Sequence, residues 1–79
     1  MKMLNIGFHN YVPENKIVAI LGADSAPIRR IINEAKERGM LINACFGRQN
    51  TTVIVTTSNY IILSAVDKKT LGKRVEDYE

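Results

Sequence analysis

Few residues of this 79-residue chain could do covalent chemistry or bind a metal. His9 is the single histidine and Cys45 the single cysteine, and no pair of carboxylates or cysteines has the spacing of metal ligands. His9 follows a short apolar stretch and precedes turn-forming residues, so we expect a solvated loop side chain. Cys45 alternates along a predicted strand and is expected to be a small buried residue. The glycines form no phosphate-binding fingerprint, and the sequence therefore predicts no catalytic residue, metal or cofactor.

Basic and amide side chains are more informative, and two places stand out. Lys16 precedes a predicted strand, and Arg48 lies at the tip of a predicted hairpin, from which side chains reach a partner. Gln49 and Asn50 add amide donors and acceptors that suit phosphates or base edges. An ordinary solvated turn has the same composition, so the residues alone leave both interpretations open.

The remaining basic and aromatic residues favour simpler roles. Arg29 and Arg30, and the basic cluster at 68–74, fall on predicted solvent-exposed helix faces. Phe8 and Phe46 take apolar strand positions, and the tyrosines are scattered along the chain. Recognition of single-stranded nucleic acid by stacking needs aromatic side chains clustered on an exposed face. The sequence predicts no such platform.

Composition permits a nucleic-acid partner without requiring one. Lysine and arginine total 11 against 8 acidic residues, which gives a formal charge of +3. The length predicts a single domain over residues 1–79, and a domain this small gains stability from association with copies of itself. No apolar run approaches the ~20 residues of a membrane span, and the N-terminus is too quickly polar for a secretory signal. With its single cysteine, the chain is expected to be cytoplasmic.

The elements that position these residues centre on one amphipathic helix, predicted over about 25–38. Ile28, Ile31, Ile32 and Ala35 recur at the spacing of one buried stripe, and Gly39 supplies the left-handed residue that ends the helix. Such a stripe needs a sheet on which to pack.

Five strands are predicted around this helix, at 3–8, 16–22, 40–46, 51–57 and 60–66. Residues 9–15 are expected to form a turn, and the near-continuous apolar run at 16–22 suggests a central strand. Residues 47–50 have hairpin length, so the last three strands are expected to form an antiparallel meander. Asp67 can cap a short helix from 68 to about 75, followed by an acidic tail at 76–79. The fold class predicted is α+β, with a mostly antiparallel five-stranded sheet.

Several motifs in this order resemble those of the RemA/YlzA family, small bacterial proteins named for regulators of extracellular-matrix genes in biofilm formation. The motifs are NIGF (5–8), SAPIRRII (25–32), ERGMLI (37–42), FGR (46–48) and ILSAV (62–66). The resemblance covers about residues 4–75. It implies a cytoplasmic DNA-binding transcriptional regulator without enzymatic activity, with a fold of the LytTR type and assembly into a ring-shaped homo-oligomer.

The resemblance also implies which residues contact DNA. The family's contacts are a basic residue at the start of the second strand and two arginines at the hairpin turn, which correspond to Lys16, Arg48 and Gln49. The chain departs from this pattern twice, because Lys16 lacks the bidentate guanidinium and Gln49 removes a charge. These changes imply weaker DNA affinity per subunit or a different target.

Two hypotheses of function follow. In the first, an oligomer repeats a weak phosphate contact and so binds duplex DNA multivalently, without a cofactor and without a membrane. In the second, the chain is a non-catalytic assembly module that does not bind DNA.

Overall fold

The computed structural model describes residues 2–76 and contains six strands and two helices. In chain order these are β1 (Met3–Gly7), β2 (Asn10–Pro13), β3 (Ile17–Gly22), α1 (Ala26–Glu37), β4 (Leu41–Asn43), β5 (Thr52–Thr56), β6 (Ile61–Ser64) and α2 (Lys68–Glu76). The α+β class is confirmed. Residues 77–79 of the predicted acidic tail lie outside the described residues.

Four of the strands form one sheet in the order β3-β5-β6-β4. β5 is antiparallel to both β3 and β6, whereas β4 runs parallel to β6. β3, β6 and β4 therefore point the same way. The cause is α1, which connects β3 to β4 and carries the chain back along the sheet, so that β4 starts at the same end as β3.

The predicted single five-stranded, mostly antiparallel sheet is therefore wrong, and so is the meander of the last three strands, although the antiparallel pairing of β5 with β6 is confirmed. Residues 47–50 do not connect neighbouring strands, since β4 pairs with β6 and β6 pairs with β5. A short strand, a helix and another short strand form a crossover unit, and such a unit requires parallel strands. β3 was predicted to be central but lies at the edge of the sheet.

β1 and β2 form a separate two-stranded antiparallel hairpin. Residues 9–15 were predicted to be a turn, but β2 and a 3₁₀ turn over Glu14–Lys16 occupy most of that segment. The prediction missed β2 because Asn10 and Pro13 bound only two apolar residues, too few for a strand signal. Pro13 is tolerated because it lies at the end of β2.

α1 begins after Ser25 and ends at Glu37, close to the predicted bounds. Its end has the hydrogen bonding of a Schellman motif: the Met40 N–H donates to the Ala35 carbonyl at 2.8 Å, and Gly39 has φ +70°. The predicted apolar stripe packs on the sheet, with Ala35 fully buried and three isoleucines half-buried. The predicted cap of the second helix is also present, since Asp67 Oδ1 accepts from the Thr70 N–H at 2.7 Å. Hydrogen bonds from the side chain and the backbone N–H of Thr70 lower the pKa of the Asp67 carboxyl.

The four-stranded sheet has a hydrophobic core on each face. On one face, α1 packs on alternate residues of β5 and β6, namely Val53, Ile61 and Leu63. On the other face, the β1–β2 hairpin and α2 cover Ile54 and Ile62. The two central strands, β5 and β6, are thus covered on both faces, which explains their near-continuous apolar and β-branched residues.

One buried hydroxyl fixes the hairpin to the sheet. Ser64 Oγ donates to the Ile6 carbonyl at 2.7 Å and accepts from the Val66 N–H at 3.1 Å. Arg74 Nη1 adds a second tie by donating to the Asn5 carbonyl at 2.6 Å. β1 therefore has a defined position against β6, although the two strands belong to different sheets.

We expect Ser64→Ala to lower the free energy of unfolding by about 1–3 kcal/mol, because it leaves the buried Ile6 carbonyl and Val66 N–H without partners. Urea denaturation followed by circular dichroism measures this. Ser58→Ala, at an exposed serine in the β5–β6 turn, is the matched control and should change stability by less than about 0.5 kcal/mol. Equal effects of the two substitutions would contradict the role given to Ser64.

Candidate functional site

Two loops meet at the end of the sheet where β4 and β6 finish. The rings of Phe8, from the β1–β2 turn, and Phe46, from the segment after β4, stack with centroids 5.3 Å apart and planes inclined at 22°. The guanidinium carbon of Arg48 lies 5.6 Å from the centroid of the Phe8 ring, within the range of a cation–π interaction. We call these three residues the Phe8–Phe46–Arg48 cluster.

Both phenylalanines have left-handed backbone conformations, with φ +52° at Phe8 and +54° at Phe46. Positive φ is uncommon for bulky residues and persists only where surrounding contacts impose it. The glycines adjacent to them also have positive φ, +105° at Gly7 and +81° at Gly47. His9 also has positive φ, at +63°, so five residues of two short turns are held in this region.

Side-chain amides hold both turns in place. Asn5 Oδ1 accepts from the Gly7 N–H at 2.8 Å, and Asn10 Nδ2 donates to the Gly7 carbonyl at 3.0 Å. In the second turn, Asn43 Oδ1 accepts from the Cys45 N–H at 2.9 Å, and the Arg48 N–H donates to the Cys45 carbonyl at 3.0 Å. The positions of the rings are therefore set by local hydrogen bonds as well as by their own contact.

The aromatic pair is exposed, contrary to the prediction of buried strand positions. Phe46 is 80% exposed and Phe8 is 40% exposed. The prediction failed because it continued the alternation of β4 beyond Asn43, where the strand ends. The dipeptides Gly7-Phe8 and Phe46-Gly47 carried the missed signal, since a glycine beside a ring favours a turn over a strand.

Gln49 and Asn50 do not belong to this cluster. They line a neighbouring cleft of about 640 Å³, together with Asp24, Arg29, Asp67 and further residues near the starts of α1 and α2. Gln49 is exposed and Asn50 is half-buried. The cleft mixes two aspartates with Arg29 and Lys68, so it has no excess of either charge among these four groups.

Lys16 lies at the opposite end of the sheet. Its carbonyl accepts from the Thr57 N–H at 2.8 Å, beyond the end of β5, whereas Gly22 at the other end of β3 pairs with Thr52. The six residues of β3 span roughly 20 Å. Arg48, Gln49 and Asn50 are thus brought to one end of the sheet, and Lys16 of the same chain is not.

The two residues weighed for catalysis have ordinary surroundings. Cys45 is 1% exposed, and burial raises the pKa of its thiol, so the thiolate is disfavoured. The expectation that Cys45 is buried is confirmed. His9 is exposed at the hairpin tip. Within residues 2–76, no group of three His, Cys, Asp or Glu side chains is arranged to hold a metal ion.

The chain segments that form the cluster carry no acidic residue. Residues 38–66 contain no aspartate or glutamate, and neither do residues 1–13. Both turns of the Phe8–Phe46–Arg48 cluster come from these acid-free segments. The cluster therefore combines an exposed apolar ring, a cation and amide groups on chain segments that carry no negative side chain.

Known proteins match the chain over nearly its whole length. The model of the RemA-like family, described as extracellular matrix regulatory protein A-like, matches residues 3–75. The chain belongs to the RemA-like family. Proteins named "Putative regulatory protein" from Caldicellulosiruptor saccharolyticus and Acetivibrio thermocellus are each 53% identical over all of this chain and over 82% and 85% of their own lengths. One of the same name from Desulforamulus reducens is 51% identical over all of this chain and 88% of its own.

The names of these relatives and of the family indicate regulation and not catalysis. Three of the motifs that carried the resemblance meet in the structure: NIGF supplies Phe8, FGR supplies Phe46 and Arg48, and ILSAV supplies Ser64, whose hydroxyl bonds to β1. No helix among residues 2–76 is both long and apolar enough to cross a membrane.

Gly7 is required where β1 turns toward Phe8, and we expect Gly7→Ala to destabilise the fold by about 1–3 kcal/mol. Its φ of +105° strains any L-residue, and an added Cβ would lie 3.0 Å from Val66 Cγ2. Gly72→Ala is the matched control: Gly72 lies inside α2 with no atom within 4 Å of an added Cβ, so it should stabilise by about 0.5–1 kcal/mol. Thermal unfolding of both variants measures the difference. Destabilisation by both, or by neither, would contradict this account of Gly7.

Proposed function

We propose that this protein is a cytoplasmic DNA-binding transcriptional regulator of the LytTR type that acts as a ring-like homo-oligomer without a cofactor. Its contacts to duplex DNA are assigned to Lys16, Arg48, Gln49 and Asn50. The observation that carries the proposal is the exposed position of Arg48, whose guanidinium carbon lies 5.6 Å from the centroid of the Phe8 ring, on chain segments without acidic residues. Membership of a family named for regulation supports it.

The position of Arg48 suits contact with a phosphate. Its guanidinium lies over the Phe8 ring, and this contact reduces the side-chain entropy lost when a phosphate binds. Amide groups and backbone N–H groups of the same loop provide additional donors for phosphate oxygens. Lys16, about 20 Å away along β3, would contact a different phosphate or the DNA held by a neighbouring copy.

Single contacts of this kind are weak, and repetition makes them sufficient. Each copy brings one Arg48 and one Lys16 to the DNA, and linked copies bind with an effective concentration that raises overall affinity by orders of magnitude. Counterion release then scales with the number of copies engaged. Regulation of matrix genes, from which the family takes its name, is the role that we propose for such an assembly.

The surface proposed for assembly is the free edge of β3. β3 pairs only with β5, so its other edge is open among the described strands, and Val18 on this strand is 62% exposed. A groove of about 380 Å³ along this strand is lined by Glu14, Ile17, Val18, Ala19, Ile20, Gly72 and Val75. Within the described residues, Glu14 Oε2 is buried without a hydrogen-bond partner. A donor from a second copy would satisfy it.

The alternative is a non-catalytic assembly module that keeps this edge contact and does not bind DNA. Two features favour it: the neutral Gln49 at a position where the family pattern has an arginine, and the two aspartates that share the cleft with Gln49. The two hypotheses differ in one measurable property, a salt-dependent affinity for duplex DNA.

We expect duplex DNA binding to weaken steeply with salt, and Lys16→Ala and Arg48→Ala each to reduce the slope of log affinity against log salt by about one per engaged subunit. Fluorescence anisotropy at several salt concentrations, on protein sized by light scattering, measures this. Lys36→Ala removes the same charge from an exposed position of α1 that is not assigned to DNA contact, and should leave the slope unchanged. An intact oligomer without affinity for duplex DNA would support the assembly module instead.

Gln49 offers a gain-of-function test. We expect Gln49→Arg to tighten duplex binding by about tenfold and to steepen its salt dependence, because it adds one cation per subunit at an exposed position beside Arg48. Gln49→Ala is the matched neutral change and should keep the wild-type slope. If Gln49→Arg binds no more tightly than Gln49→Ala, position 49 does not face the DNA.

A further inference from the structure

We propose that Phe46 is an apolar wedge that enters a base step of duplex DNA while Arg48 binds the adjacent backbone. This inference rests on the proposed function and adds a residue that sequence reasoning assigned to a strand interior. It also assigns to Phe8 a positioning role, since the Phe8 ring stacks on Phe46 and lies 5.6 Å from the guanidinium carbon of Arg48.

The first argument is the solvent exposure of Phe46. Phe46 is the most exposed large hydrophobic side chain among the described residues, at 80%. The apolar area of an exposed phenylalanine is unfavourable in water, and its φ of +54° adds backbone strain. A small domain that keeps both unfavourable features at one residue indicates a use for that residue outside its own core.

The second argument is preorganisation. Phe46 is stacked on Phe8 at 5.3 Å, and Phe8 is carried by a hairpin that Ser64 and Arg74 tie to the rest of the fold. The ring therefore presents a fixed orientation, so little conformational entropy is lost when its free face meets a base.

The third argument is the chemistry of the surroundings. Arg48 lies over the Phe8 ring of the stacked pair, and the chain segments that carry the cluster contain no acidic residue. His9 and Asn10, both exposed at the hairpin tip, follow Phe8 directly in the chain and add polar side chains to the same turn. An apolar ring framed by cationic and amide groups matches a base step flanked by phosphates, and proteins that kink DNA insert phenylalanine in this way.

The observations favour duplex DNA over two other occupants. Proteins that bind single-stranded nucleic acid stack successive bases on several aromatic side chains. Here Phe8 covers one face of the Phe46 ring and leaves a single face free for one base. A second copy of the chain has the β3 edge available, with its apolar groove and unsatisfied Glu14 oxygen, on the far side of the sheet from β4. The cluster is thus free to contact DNA in an assembly built through β3.

A wedge makes binding sensitive to how easily the base step opens. We expect the wild-type protein to bind a short duplex with a central T·T mismatch at least about fivefold more tightly than the fully paired duplex, because unstacking at a mismatch is easier. We expect Phe46→Ala to weaken binding to the paired duplex by about tenfold, the range of base–aromatic stacking, and to abolish the mismatch preference. A 2-aminopurine placed beside the mismatch should brighten on binding of the wild type only.

Three variants separate the wedge from other causes. Phe46→Leu keeps an apolar side chain and should retain part of the mismatch preference, whereas Arg48→Ala should lower the salt slope and keep the preference. Tyr11→Ala removes another exposed ring, 53% exposed on β2 of the same hairpin, and should change neither property. Light scattering and unfolding measurements on each variant verify that assembly and stability are unchanged.

The proposal and the function on which it rests fail differently. If no variant and no wild-type protein binds duplex DNA in a salt-dependent way, the proposed function is wrong. If the wild type binds with a normal salt slope but shows no mismatch preference, and Phe46→Ala binds equally well, the wedge is wrong and the function stands. Loss of the oligomer in Phe46→Ala would also overturn the wedge, since it would make Phe46 a subunit contact.

Discussion

The structure depends on one buried hydroxyl, that of Ser64. The four-stranded sheet and the β1–β2 hairpin share no backbone ladder, so side chains must join them. Ser64 Oγ does so by bonding at once to the Ile6 carbonyl and to the Val66 N–H. Unsatisfied backbone groups are costly in a core, which makes this position of β1 strongly preferred over small sliding displacements. Because Gly7 and Phe8 follow Ile6 directly, the same bond decides where the hairpin tip meets the segment after β4.

Local patterns in the sequence predicted the elements well and their pairing poorly. The stripe from Ile28 to Ala35 predicted α1, and the β-branched run around Ile54 predicted β5, because both depend on neighbouring residues. The partner of β4 depends instead on where α1 delivers the chain, which is a property of the whole crossover. A rule was available: two strands of one sheet that are connected by a helix run in the same direction. Glycine and asparagine between β4 and β5 suggested a hairpin more strongly, and that local signal was misleading.

In the candidate site too, the features set by neighbouring residues could be predicted, and those set by tertiary contacts could not. Exposure of Arg48 and Gln49 could be predicted, because glycine and asparagine around them mark a loop. The aromatic pair could not, since Phe8 and Phe46 are 38 positions apart in the chain and meet only through the tertiary contact that Ser64 secures. Left-handed backbone at both rings also contradicts the strand pattern. The departures from local rules are therefore concentrated at the two turns that form the exposed cluster, which is where functional sites tend to violate such rules.

The separation of Lys16 from Arg48 constrains how one chain can use both. They lie at opposite ends of β3 and β5, roughly 20 Å apart along the strands, a distance comparable to the width of a duplex. A monomer would have to place the long axis of its sheet along the DNA in order to engage both cations. In the proposed ring, the Lys16 end of one copy and the Arg48 end of the next would follow the same DNA path, so that each junction would present a cation pair. Such a ring would impose curvature on that path, and Phe46 of each copy would localise the bending at discrete base steps. The proposed assembly and the proposed base-step insertion would therefore act together, since a bend repeated around the ring would bring successive cations to successive turns of the helix.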